Sequence, residues 1–193
     1  MKKLIGLSLL IAILGSGVVR ETKVMAQTEY TWYNCRTREV FTPEKQAWCD
    51  RLFKLQNATY KVPKNLNSNP EYITVTLKNG RYQRQDNRFI VELVNQRGWL
   101  TFGDINNDGK EDAAVIFGVA LDPNGKAIGT YLTAVLDIDG KRQALTPIKL
   151  GERIMLNGPI AIENDRIIIP FLTRTEVINR IYIVDGTTLR QSS

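Results

Sequence analysis

Residues 99–121, WLTFGDINNDGKEDAAVIFGVAL, contain two apolar segments separated by a loop of Asp, Asn, Gly and Lys residues. The apolar segments, 99–105 and 113–121, contain the β-branched and aromatic residues that strands favour. The intervening loop has the composition of a tight turn, because Asn, Asp and Gly tolerate the backbone conformations that turns require. This stretch therefore predicts two strands on either side of one polar loop.

The same succession of short strands and turns extends over residues 58–190. Asn79-Gly80 is a strong hairpin signal, and it predicts that a strand at 72–77 pairs with a return strand at 81–85. Further strands are predicted at 89–94, 130–138, 153–156, 167–172 and 180–184. Turn signals at a spacing of about ten residues indicate an antiparallel meander within one domain.

A helix is predicted before the strands, over residues 43–56. Thr42 suits its N-cap, and Pro43 suits the first helical position, where a missing N–H group leaves no hydrogen bond unmade. Three apolar residues at helical spacing form one stripe: Trp48, Leu52 and Leu55. Together these elements predict an α+β fold, in which one N-terminal helix packs on a twisted, mainly antiparallel β-sheet. The alternative is an all-β barrel or sandwich with the helix appended.

Cys35 and Cys49 are the only cysteines in the chain, and they predict one disulfide that ties the incoming segment to the helix. In the chain-entropy model, closing a loop of this size stabilises a fold by about 3 kcal/mol. A redox pair is disfavoured, because redox sites usually have a CxxC spacing and these two cysteines are much further apart. The disulfide is therefore expected to be structural.

Residues 1–26 have the features of a secretory signal peptide. Two lysines follow Met1, residues 4–19 carry no charge, and Val24-Met25-Ala26 has the form of a cleavage site. We expect cleavage after Ala26 and export of a single domain, residues 27–193, to the periplasm or the extracellular medium. The alternative is an uncleaved membrane anchor formed by residues 4–19, although this segment is shorter than the ~20 residues that a spanning helix needs.

Composition excludes several function classes. The chain contains no histidine, which rules out Ser-His-Asp and Cys-His catalysis as well as histidine-ligated zinc. It also lacks the glycine-rich sequences that cradle phosphates. Removing residues 1–26 lowers the net charge from +6 to +3, because the leader holds four basic residues and one acidic residue. A nucleic-acid partner is therefore not expected, and no residue is assigned a catalytic role.

The loop in the opening stretch has the side-chain spacing of a calcium site. Counted from its first residue, oxygen-bearing side chains fall at positions 1, 3, 5 and 9: Asp104, Asn106, Asp108 and Asp112. Gly109 permits a sharp turn at position 6, and the carbonyl of Lys110 would point inward at position 7. Because Ca²⁺ binds about six to eight oxygen atoms, these residues predict a calcium site. A metal-free turn stays open as the alternative, since Asn-Asp-Gly clusters also form such turns.

The loop is not an EF-hand, because Val115 occupies position 12, where an EF-hand carries a bidentate glutamate. Residues 102–112 instead resemble the calcium-binding DxDxDGxxD loops between strands in the FG-GAP and VCBS-type repeats of integrin-like β-propellers. A propeller needs several such repeats and this chain has one, so the resemblance implies a hairpin loop with structural Ca²⁺ and no propeller. Without the glutamate we expect weak affinity, with a Kd of ~10⁻⁴–10⁻³ M.

We therefore expect an exported, non-catalytic binding or accessory domain, stabilised by Ca²⁺ and one disulfide, with a protein or a glycan as its partner. Two alternatives stay open. A carboxylate-based enzyme acting on extracytoplasmic glycan would need only two acidic side chains about 5–10 Å apart. A membrane-anchored accessory subunit of a larger complex would follow if the leader is not cleaved.

Overall fold

The structure, a computed structural model, describes residues 31–66, 69–121 and 128–192. The predicted signal peptide, residues 1–26, lies outside them. The described chain forms one α-helix, α1 (Pro43–Gln56), and thirteen strands. The strands are β1 (Thr59–Pro63), β2 (Tyr72–Thr76), β3 (Arg81–Gln83), β4 (Ile90–Leu93), β5 (Leu100–Gly103), β6 (Asp112–Ala120), β7 (Ile128–Ile138), β8 (Lys141–Ala144), β9 (Ile148–Gly151), β10 (Ala161–Glu163), β11 (Arg166–Leu172), β12 (Val177–Asp185) and β13 (Thr188–Ser192).

The predicted α+β fold, with one helix on one sheet, is wrong. The described strands form three sheets and are accompanied by a single short helix, so the fold is closer to an all-β fold. The largest sheet has the order β3-β4-β6-β7-β8, with β5 paired to β6 and β9 paired to β7. β1 and β2 form a two-stranded sheet, and β10 to β13 form a four-stranded sheet in chain order.

The central hairpin of the largest sheet is buried on both faces, so one covering layer cannot shield it from solvent. β6 and β7 pair antiparallel over eight residue pairs, and most side chains of both strands are buried. Val115 and Phe117 of β6 belong to one hydrophobic cluster, whereas Ala114 and Ile116 belong to a second cluster on the opposite face. A hairpin buried on both faces needs a layer of structure on each side.

One of these layers contains α1 together with β1 and β2. The predicted helix is confirmed, and the side-chain oxygen of Thr42 accepts a hydrogen bond from the Lys45 N–H group at 3.3 Å, which caps its first turn. The apolar stripe of Trp48, Leu52 and Leu55 is buried in the same cluster as Val115. Within the parts of the chain that the structure describes, no helix is both long and apolar enough to cross a membrane.

The other layer is the four-stranded sheet. Ile167 and Ile169 of β11, Tyr182 of β12 and Leu189 of β13 are buried in the cluster that contains Ile116 of the central hairpin. The sequence analysis placed the two strands that it predicted here, 167–172 and 180–184, in one meander with the rest, because turn signals give only the order of strands along the chain. They do not encode the layer in which each strand lies.

The Asn79-Gly80 turn is present, with positive φ at both residues, but it does not join the predicted hairpin. β2 pairs with β1, beginning with Thr59 opposite Thr76, whereas β3 pairs with β4 in the largest sheet. A bridge between Lys78 and Arg81 closes the turn itself. The turn therefore passes the chain from one sheet to the next.

Candidate functional site

The predicted calcium loop closes the β5–β6 hairpin. The two strands pair antiparallel with Gly103 opposite Asp112, so residues 104–111 form the connection. The hairpin that the resemblance implies is therefore present. β6 continues from it into the buried central hairpin, which fixes one end of the loop on the core.

The first predicted ligand, Asp104, is held by backbone N–H groups of its own loop. Its carboxylate oxygens accept hydrogen bonds from the N–H groups of Asp108 at 3.2 Å and Gly109 at 2.8 Å. Desolvation raises the pKa of Asp104, but hydrogen bonds from four backbone N–H groups of the loop together outweigh it and hold the pKa below its usual value. The Asp104 carboxylate is therefore ionised at neutral pH.

Asn106 and Asp108 belong to the same hydrogen-bond network. The side-chain oxygen of Asn106 accepts from the Asp108 N–H group at 3.2 Å, which brings it beside the Asp104 carboxylate. Asn106 Nδ2 donates to Asp108 Oδ2 at 3.1 Å, and the Lys110 N–H group donates to Asp108 Oδ1 at 2.9 Å. Gly109, with a φ of 77°, takes the left-handed conformation that a glycine adopts easily. The structure thus brings three of the predicted side-chain ligands together.

Asp112, the fourth predicted side-chain ligand, is fully buried at the start of β6. Its two oxygens accept hydrogen bonds from the N–H groups of Ile105 at 3.0 Å and Asp137 at 2.8 Å. Burial raises the pKa of Asp112 against the effect of these two hydrogen bonds, and the charges of Asp108 and Asp104 raise it further. Asp112 is therefore close enough to the loop for the charges of Asp104 and Asp108 to act on it. Its own carboxylate stabilises the backbone at Ile105 and Asp137.

The β7–β8 turn also lies against the loop, which the sequence did not predict. The Lys110 ammonium forms an ion pair with Asp139 at 3.4 Å. In the same turn, the Asp137 carboxylate accepts a hydrogen bond from the Gly140 N–H group at 2.8 Å. Lys110 and Asp139 are 29 positions apart, and no local pattern in the sequence signals their contact. The Asp139 carboxylate is thus placed beside the predicted site, and the Asp137 carboxylate stabilises the turn that carries it.

Arg51 ties the end of the loop to the helix. Its guanidinium forms an ion pair with Glu111 and lies 4.6 Å from the ring centroid of Phe102 in β5. Two residues before it in α1, Cys49 forms the predicted disulfide with Cys35, with the two Cα atoms 5.7 Å apart. The disulfide is confirmed, and α1 connects it to the loop.

The donor chemistry of this region suits a hard cation. The predicted donors are all oxygen atoms, from the side chains of Asp104, Asn106, Asp108 and Asp112 and the carbonyl of Lys110. Oxygen donors of this kind are the ligands that Ca²⁺ prefers. As the described side chains stand, no three or more His, Cys, Asp or Glu residues are grouped in a way that could hold a metal ion. A carboxylate has about four lone-pair positions, so these groups keep acceptor capacity beyond the backbone N–H groups that they bind.

Comparisons of the whole chain with protein-family models, with curated proteins and with solved structures found no significant match. The resemblance of residues 102–112 to FG-GAP and VCBS loops therefore concerns this hairpin alone. The function has to be inferred from the side chains and their surroundings.

Proposed function

We propose that the chain is an exported, non-catalytic binding or accessory domain in which the β5–β6 loop binds a structural Ca²⁺ ion. The observation that carries this proposal is the convergence of the side-chain oxygens of Asp104 and Asn106 on the N–H group of Asp108. This convergence occurs within a hairpin that is continuous with the buried core. A protein or a glycan would be the partner of the domain.

The proposed ion would relieve repulsion between carboxylates. Besides desolvation, the charges of Asp108 and Asp104 raise the pKa of Asp112, so these two carboxylates oppose the ionisation of Asp112. A divalent cation would offset this repulsion and restrict the loop to one conformation. Because Lys110 contacts the β7–β8 turn and Glu111 contacts α1, the ion would order a surface built from three elements.

The disulfide supports the exported location. Disulfides persist in oxidising compartments outside the cytosol and are rare within it. Calcium-binding extracellular modules operate with Kd values of ~10⁻⁴–10⁻³ M, the range expected for a loop without a bidentate glutamate. The disulfide and the weak calcium site therefore point to the same environment.

A calorimetric titration with Ca²⁺ tests the proposal. The purified protein, freed of metal with EDTA and dialysed, should bind one Ca²⁺ ion with a Kd of ~10⁻⁴–10⁻³ M. Asp108→Ala should lose this heat, because the carboxylate links the two halves of the loop network. Asp86→Ala is the matched control, since it removes an exposed carboxylate that pairs with Arg84 in a different turn. It should bind Ca²⁺ as the wild type does.

Two results would contradict the proposal. One is the absence of binding heat in the wild type at ~10 mM Ca²⁺, about ten times the weakest expected Kd. The other is an equal heat in the wild type and in Asp108→Ala, which would place the ion elsewhere. Either result would make the loop an ordinary metal-free turn.

A further inference from the structure

A groove with no part in the calcium proposal lies beside β9. Its volume is about 350 Å³, which is near the lower end of the range for small-molecule pockets. Residues from β7 and from the starts of β2, β9 and β13 line it. The groove therefore combines side chains from all three sheets.

Tyr131 of β7 lines this groove and carries a buried hydroxyl group. The residue is 1 % exposed, and its ring stacks on Phe117 with the two centroids 5.7 Å apart. No group in the described chain forms a hydrogen bond with the Tyr131 hydroxyl. Buried hydroxyl groups almost always have a partner, and a phenylalanine would fill the same space without this group. The hydroxyl is therefore a candidate donor to a bound molecule.

Gly129 determines where this hydroxyl lies. A Cβ atom at this position would lie 2.6 Å from Tyr131 Cε2 and 3.0 Å from its hydroxyl oxygen, so any larger residue would displace the ring. The same Cβ position is 3.0 Å from Cδ2 of Leu66. The tyrosine thus lies back along its own strand, with its hydroxyl in the neighbourhood of Leu66.

Lys149 brings a positive charge to the same place. It lies opposite Tyr131 in the β7–β9 ladder, and directly opposed residues point to the same face of a sheet. Its ammonium lies 3.5 Å from the Leu66 carbonyl oxygen and forms no ion pair with a carboxylate of the described residues. The hydroxyl of Tyr72 is already used, because it donates to the Pro147 carbonyl at 3.3 Å. The Tyr131 ring and the Lys149 ammonium thus both lie near Leu66, the ring on the side of its Cδ2 and the ammonium at its carbonyl oxygen.

Most of the remaining described lining is apolar, and the hydroxyl of its polar member, Thr188, donates to the Thr146 carbonyl at 3.1 Å. Pro70, Pro147 and Ile148 present hydrocarbon surfaces beside the ring of Tyr72, and none of the described residues that line the groove carries a carboxylate. Flat surfaces of this kind suit the face of a ring, whether aromatic or a sugar. The charge and donor pattern suits a ligand that carries an anionic acceptor.

We propose that this groove binds a small ring-bearing carboxylate. Its carboxylate group accepts a hydrogen bond from Tyr131 and pairs with Lys149, while its ring lies between Tyr72 and the two prolines, Pro70 and Pro147. The binding needs no Ca²⁺, so the proposal for the groove is tested independently of the proposal for the calcium loop. The ring can come from two sources, an aromatic acid or a uronic acid, which the experiment distinguishes.

The test is an NMR titration of the full chain, in EDTA, with benzoate and with glucuronate. At least one of the two should bind and shift the amide signals of residues lining the groove. The neutral analogues benzyl alcohol and methyl glucoside should bind at least about tenfold more weakly, since they lack the charge that Lys149 pairs with. Binding of benzoate alone would assign an aromatic acid, and binding of glucuronate alone a uronic acid.

Single-atom and charge variants complete the test. Tyr131→Phe should fold, because the hydroxyl has no partner in the described chain, and should weaken binding at least about tenfold. Lys149→Met should weaken it by a similar factor, whereas Lys149→Arg should retain most of it. Tyr60→Phe and Lys61→Met are the matched controls and should bind as the wild type does. Failure of both acids to bind would overturn the proposal, and so would wild-type affinity in both Tyr131→Phe and Lys149→Met.

Discussion

Asp112 and Tyr131 are buried polar residues on the two paired strands of the central hairpin, and they differ in whether their polar atoms form hydrogen bonds within the described chain. Both carboxylate oxygens of Asp112 accept backbone hydrogen bonds, which tie the loop and the β7–β8 turn to β6. The hydroxyl of Tyr131 has no partner in the described chain. The first residue stabilises the fold that carries the predicted calcium loop, whereas the second retains a hydrogen bond for a ligand.

The comparison also separates two kinds of site. The loop is a local motif whose parts are close together in the sequence, and its proposed ligand is a cation. The groove is assembled from separate strands, and its proposed ligand is an anion. Changes at Asp112 should therefore affect folding, and changes at Tyr131 should affect binding.

The largest effect is expected from Asp112→Ala, which leaves the N–H groups of Ile105 and Asp137 without their acceptors. The buried Ile105 N–H group and the half-buried Asp137 N–H group, left without partners, should together lower the free energy of unfolding by about 2–4 kcal/mol. Denaturant titration of the oxidised protein in EDTA measures this change. Glu163→Ala, an exposed acidic residue of β10, is the control and should lie within about 0.5 kcal/mol of the wild type. A change of the same small size in Asp112→Ala would contradict the structural role of the Asp112 carboxylate.

A smaller effect is expected from Asn106→Asp, which adds a carboxylate to the loop. Calcium affinity rises with the charge of the ligand set, so we expect the Kd for Ca²⁺ to fall about tenfold. The metal-free variant should be less stable than the wild type, because the new charge lies beside Asp104 and Asp108. Calorimetry and melting curves in EDTA measure the two changes. Unchanged calcium affinity would argue against ligation by position 106.

A pair of tyrosine variants sharpens the comparison further. The buried hydroxyl of Tyr60 donates to the Leu55 carbonyl at 2.8 Å, so Tyr60→Phe should lower the free energy of unfolding by about 1 kcal/mol. Tyr131→Phe should leave stability unchanged or raise it by up to about 1 kcal/mol, because it removes a buried group that lacks a partner. Denaturant titrations of both variants measure this contrast. Equal destabilisation by the two substitutions would show that the Tyr131 hydroxyl has a partner in the folded protein.

The smallest effect is a pH dependence that originates at Asp112. Burial raises the pKa of its carboxyl in the folded state, so the folded protein holds this proton to a higher pH than the unfolded chain does. The stability contributed by this group should therefore fall as the pH rises from about 3.9, its unfolded value, through the raised folded value. In EDTA, the stability of the wild type relative to Asp112→Asn should decline over that interval. A difference that is constant or grows with pH would contradict the raised pKa.

Several features could be predicted from the sequence because their signals are local. Thr42 and Pro43 marked the start of α1, and the two cysteines of a chain predicted to be exported indicated the disulfide between Cys35 and Cys49. The β5–β6 loop was recognisable because its oxygen-bearing residues and Gly109 fall within nine positions. In each case the residues that interact lie within 14 positions of one another in the chain.

The layers of the fold could not be predicted in the same way. Residues 113–117 are apolar at every position, and such an unbroken run indicates a strand buried on both faces. The prediction of one sheet with one helix left no second layer to cover it. The four-stranded sheet supplies that layer through contacts that are distant in the sequence, such as those of Ile116 with the cluster of Ile167 and Tyr182.

The groove gave no signal in the sequence. Tyr72, Tyr131 and Lys149 lie in three different strands, and each has an ordinary place in a strand pattern. Only the packed structure shows that the Tyr131 hydroxyl has no partner among the described residues and that Lys149 lies opposite Tyr131 in the ladder.

The most direct test of the central claim is a residue-resolved Ca²⁺ titration followed by ¹H–¹⁵N NMR. The amide groups of Asp108, Gly109 and Lys110 donate to the loop carboxylates and amide oxygen, so their signals should shift as the ion binds. The signals of Tyr131 and Lys149 should stay unchanged, because they belong to the groove. Shifts confined to the loop and its contacts, saturating near ~10⁻³ M Ca²⁺, are the predicted result. No shift in the loop at ~10 mM Ca²⁺, or shifts only elsewhere, would contradict the assignment of the loop as the calcium site.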